Sequence, residues 1–349
     1  SMQALSTVSR MSDLGVTFTR AYVTSPLCSP SRAGILTGRY PQNTGVLRNK
    51  PPFGGFESFY ANGHESRTIA VSLQAAGYRT GFVGKYFNQF PRTAPSGYIP
   101  PGWDYWVAPK GGNHIHRYFD YELNENGRIV GYGTAPGDYA MDVYAAKAKA
   151  FVEDAAGRGQ PFALFLWLPA PHTPEIPAPR HARHFADAKL PRNVALPEWY
   201  IGDKPSFLRF PPPTADRLPA LDESYRARLQ MLASVNETVG ELRRQLAERG
   251  QLWRTYFVVA SDNGWHQGEH NQTPSKGRPH EEDIRVPLII TGPDVPAGRT
   301  ITRLVGNADL APTFAEWAGA RPSAAVDGRS FARLVSAPDP TRLAWRKRL

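Results

Sequence analysis

Phe162-Ala163-Leu164-Phe165-Leu166-Trp167-Leu168 runs directly into Pro169-Ala170-Pro171-His172-Thr173-Pro174. The first stretch is short and continuously apolar, which is the pattern of a strand covered by helices on both faces. The second is broken by prolines, which cannot continue a ladder, so the strand ends there and delivers His172 at its carboxyl end. Working outward, residues 78–85, 255–261 and 286–291 have the same character. Helical periods lie between them. The clearest covers 222–249, with Tyr225, Leu229, Leu232, Val235, Val239, Leu242 and Leu246 at steps of three and four and Gly250 as its stop. Others cover 139–155, 68–76 and 310–318. Alternation of this kind predicts an α/β chain built on a central, mostly parallel sheet. Residues 190–221, with Pro211-Pro212-Pro213, read as a long irregular loop, and 97–133 is aromatic and polar without a clear period. Loops of such length commonly shape a site. No repeat, low-complexity tract or linker divides the chain, so 1–349 is taken as a single domain.

The composition narrows the function classes. Of 349 residues, 41% are hydrophobic and 21% charged, with 8 Trp, 15 Tyr and 17 Phe, which excludes a disordered chain. No apolar run approaches the roughly 20 residues that a bilayer requires, so no membrane span is expected. Lys and Arg number 41 against 31 Asp and Glu, a net charge of +10 that favours anionic partners. The basic residues are dispersed apart from Arg346-Lys347-Arg348, and no recognition motif accompanies them, so nucleic acid is not the expected partner. Ser1 to Leu5 has neither the basic nor the apolar region of a signal peptide, which leaves the compartment open. Cys28 is the sole cysteine, which rules out an internal disulfide and a multi-cysteine metal site.

Around that cysteine the chain reads Pro26-Leu27-Cys28-Ser29-Pro30-Ser31-Arg32-Ala33-Gly34-Ile35-Leu36-Thr37-Gly38-Arg39. Ser29 suits an N-cap, Pro30 the first helical position, and Gly38 the end of a helix of about two turns. Cys28 then lies at a helix mouth, where unpaired N–H groups gather an anion. Arg32, one turn in, would add a bidentate grip on its oxygens. Cys28-Ser29-Pro30-Ser31-Arg32 followed by Leu36-Thr37-Gly38-Arg39 resembles the signature of the type I sulfatases. That resemblance implies that Cys28 is converted by a formylglycine-generating enzyme to formylglycine. Its hydrated aldehyde attacks the sulfur of a sulfate ester, and the second hydroxyl expels the sulfate. Arg32 is then the stabilising neighbour.

Further matches follow in the family's order. Gly84-Lys85-Tyr86 ends a predicted strand and is similar to a motif whose lysine contacts sulfate, a role that Lys85 inherits; taken alone it is a solvated charge. Many members place His two residues later, where this chain has Phe87. The run Gly84-Lys85-Tyr86-Phe87-Asn88 is instead similar to the N-acetylglucosamine-6-sulfatase branch, and Asn88 is left as a substrate hydrogen-bond donor. Pro171-His172-Thr173-Pro174 looks like the family's Pro-His-x-Pro, whose histidine contacts the ester and assists the leaving oxygen, a task suited to a group titrating near neutrality. Asp262-Asn263-Gly264, taken alone a common turn, matches a metal-binding pair of hard oxygen ligands for Ca²⁺ or Mg²⁺. Lys276 matches a lysine bridging nucleophile and sulfate, and His266 a substrate contact. Asn307-Ala308-Asp309 and Asp327-Gly328 are read as structural landmarks, a helix cap and a turn. Pro101-Gly102-Trp103-Asp104-Tyr105-Trp106 again resembles the glucosamine-6-sulfatase branch, its rings either stacking on a sugar or filling a lid.

The resemblance implies an alkaline phosphatase-like three-layer α/β/α sandwich and a sulfated sugar or aryl sulfate as substrate. It also exposes departures. Relatives begin with a strand ending in an Asp-Asp pair that supplies two metal ligands, and they continue into a small antiparallel subdomain. Asp13 is the first acidic residue of this chain, and Leu349 is its last residue. The expectation is a catalytic domain incomplete at both ends, with its cation weakly held and its activity reduced or absent. Two alternatives stand beside it: a degenerate, non-catalytic binder of sulfated glycans, and a phosphoester hydrolase of the same superfamily. Cys28 argues against the second, since those relatives usually carry Ser or Thr as nucleophile. Family members are often secreted, periplasmic or lysosomal.

Overall fold

The apolar run at 162–168 forms a strand, Phe162–Trp167, in a computed structural model that describes residues 5–193 and 195–349. In chain order the strands are β1 (Val16–Phe18), β2 (Ala21–Tyr22), β3 (Arg79–Gly84), β4 (Tyr105–Pro109), β5 (Tyr121–Glu125), β6 (Arg128–Tyr132), β7 (Phe162–Trp167), β8 (Phe257–Ala260), β9 (Leu288–Thr291), β10 (Arg299–Ile301) and β11 (Val305–Gly306). A five-stranded sheet has the order β6-β5-β4-β3-β7, a four-stranded sheet β10-β1-β9-β8, and β11 pairs with β2.

The parallel expectation holds where it was strongest. β3 lies parallel to both β7 and β4, with Phe82 opposite Phe165 and Trp106. Elsewhere the sheets are mixed, not mostly parallel. β8 and β9 pair antiparallel, because residues 261–287 hold only a 3₁₀ turn, Glu269–Asn271, and the four-residue helix Glu281–Ile284, and make no long helical crossover. The aperiodic stretch 97–133 contains β4, β5 and β6. The latter two form an antiparallel hairpin through Asn126 and Gly127, both at positive φ (52° and 92°).

Alternation along the strands builds the layers. Phe82, Trp106 and Phe165 point to one face, against Ile69 and Leu73 of helix Ile69–Ala75 and Ala311 and Ala315 of helix Leu310–Ala318. Val83, Val107, Leu164 and Leu166 point to the other, against helix Ala140–Gly157. The helix expected at 222–249 begins one turn earlier, spanning Leu218–Glu248, and packs through Leu242 and Leu246 on Phe151 and Val152. The second sheet is covered likewise, Ile289 facing helix Ser6–Leu14 and Ile290 facing Leu310 and Leu334. Each face removes apolar area from water at about 25 cal/mol per Å², so the sheets are fixed and their loops are free to vary. Residues 190–193 and 195–217 are irregular as expected, apart from a short turn of 3₁₀ helix, Ser206–Leu208. Among the described residues no helix is long and apolar enough to cross a membrane.

Candidate active site

Helix Cys28–Thr37 is buried along its whole length and starts at Cys28 itself. Ser29 is therefore not its N-cap, which corrects the sequence expectation. Asn49 performs that service from outside, its Oδ1 accepting the Ser29 N–H at 2.8 Å, and the Ser29 hydroxyl donates instead to Asn88 Oδ1 at 3.1 Å. At the far end Gly38 adopts φ 68° and donates its N–H to the Gly34 carbonyl, as its position predicts. Asn307 pins the helix flank. Its Nδ2 donates to Ser31 Oγ (2.8 Å) while its Oδ1 accepts the Thr24 N–H (3.1 Å). The landmark role of 307–309 is thus structural, Asp309 Oδ2 likewise accepting the Gly306 N–H at 2.8 Å.

Strand ends bring charge to the helix mouth. Gly84 closes β3 at φ 118°, where a Cβ would lie 2.1 Å from the Trp167 carbonyl oxygen, so only glycine lets β3 and β7 approach and turn Lys85 inward. Lys85 is 1% exposed, and its Nζ lies 3.5 Å from Cys28 Sγ. Lys276 Nζ lies closer, at 2.9 Å, and also donates to Asn263 Oδ1 at 3.1 Å. β8 leads into Asp262, whose Oδ2 accepts from Arg32 Nε at 2.8 Å. Arg32 departs from expectation here. Its Nη1 donates to the carbonyls of Lys85 and Tyr86, and its guanidinium lies over the Trp167 ring, so it is chiefly a strut joining the helix to β3, β7 and Asp262.

The electrostatics follow from this crowding. Burial would raise the Cys28 thiol. Lys85, hydrogen bonding from His172, and Lys276 outweigh burial and the Asp262 charge, and bring it down to about 5. Burial holds Lys85 down at about 8, with Cys28 opposing the shift. Asp262 is also pushed up by burial, but Arg32, Lys276 and Lys85 together keep it below the usual carboxylate range. A buried thiol beside two ammonium groups is an environment that favours negative charge.

His172 is half-buried in the loop after β7. Its Nδ1 donates to the Thr173 carbonyl at 2.6 Å, since a carbonyl only accepts, which leaves Nε2 for the thiol side. Its ring stacks on that of His116, centroids 4.1 Å apart and planes 19° from parallel. His116 lies in the short 3₁₀ segment Gly112–His116 and carried no signal in the sequence beyond being a histidine in an aromatic, aperiodic stretch.

One expected substrate contact is engaged elsewhere. His266 is 1% exposed, with Nδ1 2.8 Å from Asp283 Oδ1 and Nε2 3.0 Å from the Thr273 carbonyl, so neither ring nitrogen is left for a ligand. Asn88 accepts the Ser29 hydroxyl at its Oδ1 and so brackets the Cys28 helix, which leaves the donating role expected of it to its Nδ2. Phe87 is 1% exposed and stacks on Phe59, purely as core. Trp103 and Trp106 are buried around Phe82, which assigns those rings to the core and not to a sugar platform.

The expected cation can be tested against its donors. Asp262 and Asn263 offer three side-chain oxygens where Ca²⁺ takes roughly six to eight. One of those oxygens already accepts from Arg32 and one from Lys276. Among the described residues no group of three or more His, Cys, Asp or Glu side chains could hold a metal ion. These residues do not fit a divalent cation.

Comparison with known proteins agrees with this geometry. The family model described as Sulfatase matches residues 1–320. An N-acetylglucosamine-6-sulfatase of Bos taurus is 34% identical over 345 residues, covering 96% of this chain and 60% of the relative. An arylsulfatase of Volvox carteri is 34% identical over 337 residues, covering 88% of this chain and 50% of the relative. A solved structure described as a complex with its substrate D-glucosamine-2-N,6-O-disulfate superposes with a TM-score of 0.80 at 25% identity, covering 98% of this chain and 77% of that one. The chain spans about half the length of the curated relatives it matches. Its α/β fold with mixed sheets is that of its sulfatase neighbours. With a buried cysteine at a helix start and two lysines on its sulfur, the chain belongs to the sulfatase family.

Proposed function

We propose that this chain is the catalytic part of a sulfuric ester hydrolase, acting on a sulfated sugar or aryl sulfate, with Cys28 as precursor of a formylglycine nucleophile. The observation that carries this reading is the approach of two ammonium groups, Lys276 Nζ at 2.9 Å and Lys85 Nζ at 3.5 Å, to Cys28 Sγ at the first residue of a buried helix. The thiol stands in for a hydrated aldehyde, which supplies one hydroxyl to attack sulfur and a second to release sulfate. Lys276 and Lys85 then hold the non-bridging oxygens and the charge that grows on them, in a site already shielded from water. His172, with Nδ1 fixed on Thr173, presents Nε2 to the leaving oxygen and gives it a proton. Relatives named N-acetylglucosamine-6-sulfatase and arylsulfatase support a 6-sulfated glucosamine unit as the first substrate and an aryl sulfate as the second.

One observation favours a second reading, binding of sulfated glycans without turnover: no cluster of metal ligands is present among the described residues. The deciding measurement is the mass of the tryptic peptide spanning residues 21–32, from protein made alongside a formylglycine-generating enzyme. Conversion of the thiol to an aldehyde supports the hydrolase. An unmodified thiol in that host overturns it, and salt-sensitive glycan binding without sulfate release then selects the binder.

A further inference from the structure

His116 meets the site from a segment that none of the sulfatase motifs covers. Its imidazole lies face to face with that of His172, centroids 4.1 Å apart. Two residues later the Tyr118 hydroxyl donates to the His172 main-chain carbonyl at 2.9 Å, from a side chain only 1% exposed. One short segment therefore grips His172 twice, by the ring and by the backbone. The segment is itself held: Ile115 is buried, and the Glu122 N–H donates to His114 Nδ1 at 3.0 Å.

We infer that His116, with Tyr118, is a positioning residue that clamps His172 so that its Nε2 faces the leaving oxygen of the sulfate ester. Three further observations support the clamp. His172 Nδ1 is already tied to Thr173, so fixing the ring plane fixes the direction of Nε2. His116 Nδ1 is buried and has no hydrogen-bond partner among the described residues. Such an unpaired atom is unfavourable in a core and is retained here where the ring's position does the work. Finally, burial and the charges of Lys85, Arg32 and Lys276, with His172 alongside, hold His116 down at about 2. It therefore stays neutral.

The inference rests on the hydrolase reading for its chemistry, and its test separates the two. The variants are His116→Ala and His116→Phe, the second keeping a flat ring of similar size without its nitrogens. In modified protein, kcat is measured on glucosamine 6-sulfate, whose alcohol leaves poorly without a proton, and on 4-nitrophenyl sulfate, whose phenolate leaves readily. His116→Ala is expected to lower kcat about tenfold on the sugar and less than about threefold on the aryl ester, with His116→Phe recovering most of the loss. Equal losses on the two substrates, or His116→Phe no better than His116→Ala, would overturn the clamp. A second readout needs no turnover, because Cys28 is the only thiol. In unmodified protein, ultraviolet titration of its thiolate should move to higher pH in His116→Ala, as His172 swings away, and return in His116→Phe. An unmoved titration in His116→Ala overturns the inference even if the chain hydrolyses nothing. A wild type inactive on both esters, with the titration behaving as expected, counts against the hydrolase reading alone.

Discussion

Asp262 and Glu65 are both carboxylates withdrawn from water, and their surroundings push them in opposite directions. Burial raises each. Around Asp262, Arg32, Lys276 and Lys85 overcome that penalty and keep the group ionised. Around Glu65 burial dominates, opposed only by the hydroxyl of Tyr98, and the group rises to about 7. The first region is a charge network assembled before any ligand arrives. The second is apolar core, where Phe56 lies near the Tyr98 ring and a neutral acid is the stable form. Three cations around one carboxylate and one thiolate leave net positive charge there, which is the basis for the proposed sulfate site.

The most severe way to break that contrast is Lys276→Ala. It removes the ammonium nearest Cys28 and the donor to Asn263. If the network is the anion site, sulfate release in modified protein falls by about a thousandfold, the scale of losing a well-placed charge from a dry site. In unmodified protein the Cys28 thiolate, expected to titrate at about 5, moves upward. A variant with full activity and an unmoved thiolate would remove Lys276 from the machinery. Next in size is Arg32→Ala, which leaves the half-buried Asp262 without its closest partner. A loss of on the order of 3 kcal/mol in denaturant unfolding is expected. The variant Arg32→Ala/Asp262→Asn should recover part of this, because the stranded charge is gone. No recovery in the double variant would mean that Arg32 acts through its bonds to the Lys85 and Tyr86 carbonyls alone.

These two variants also bear on how far the sequence could be read. The helices were visible because their apolar stripes run for several turns, and the strands β3, β7, β8 and β9 because they are short apolar runs between breakers. The strands β4, β5 and β6 escaped because Tyr, Glu, Asn and Arg dilute their apolar face. The signal that would have found the hairpin is Asn126-Gly127, a two-residue turn pair between runs of alternating character. At the site, Cys28, Lys85, His172, Asp262, Asn263 and Lys276 stood out through the ordered resemblance to the sulfatases, since taken alone Lys85 reads as a solvated charge and Asp262-Asn263-Gly264 as a common turn. Their division of labour did not. Arg32 looks like an oxyanion grip until its partner 230 residues away turns it into a strut. His266 looks like a ligand contact until Asp283 and Thr273 take both its nitrogens. Hydrogen-bond satisfaction is a property of the folded whole, and no local pattern encodes it. His116 belongs to the same class, a turn residue whose meaning comes only from the ring against which it stacks.

The smallest effect expected is at the apolar end of the comparison, and its sign is set by linkage. Glu65 binds its proton more tightly folded, at about 7, than unfolded, near its ordinary value of 4.5. Between those values the native state carries the extra proton, so stability falls as pH rises through that window. The favourable contribution is whole below about 4.5 and gone above about 7. Glu65→Gln is neutral at every pH and can still accept from the Tyr98 hydroxyl. It should therefore match the wild type at pH 5 and exceed it at pH 8 by about 2 kcal/mol, seen as a higher melting temperature. A gap of the same size at both pH values would mean that the carboxyl is not titrating in the core, and that Tyr98 or solvent keeps Glu65 ionised. A gap that opens only at the alkaline end would leave Asp262 as the member of the pair whose charge the fold has arranged to keep.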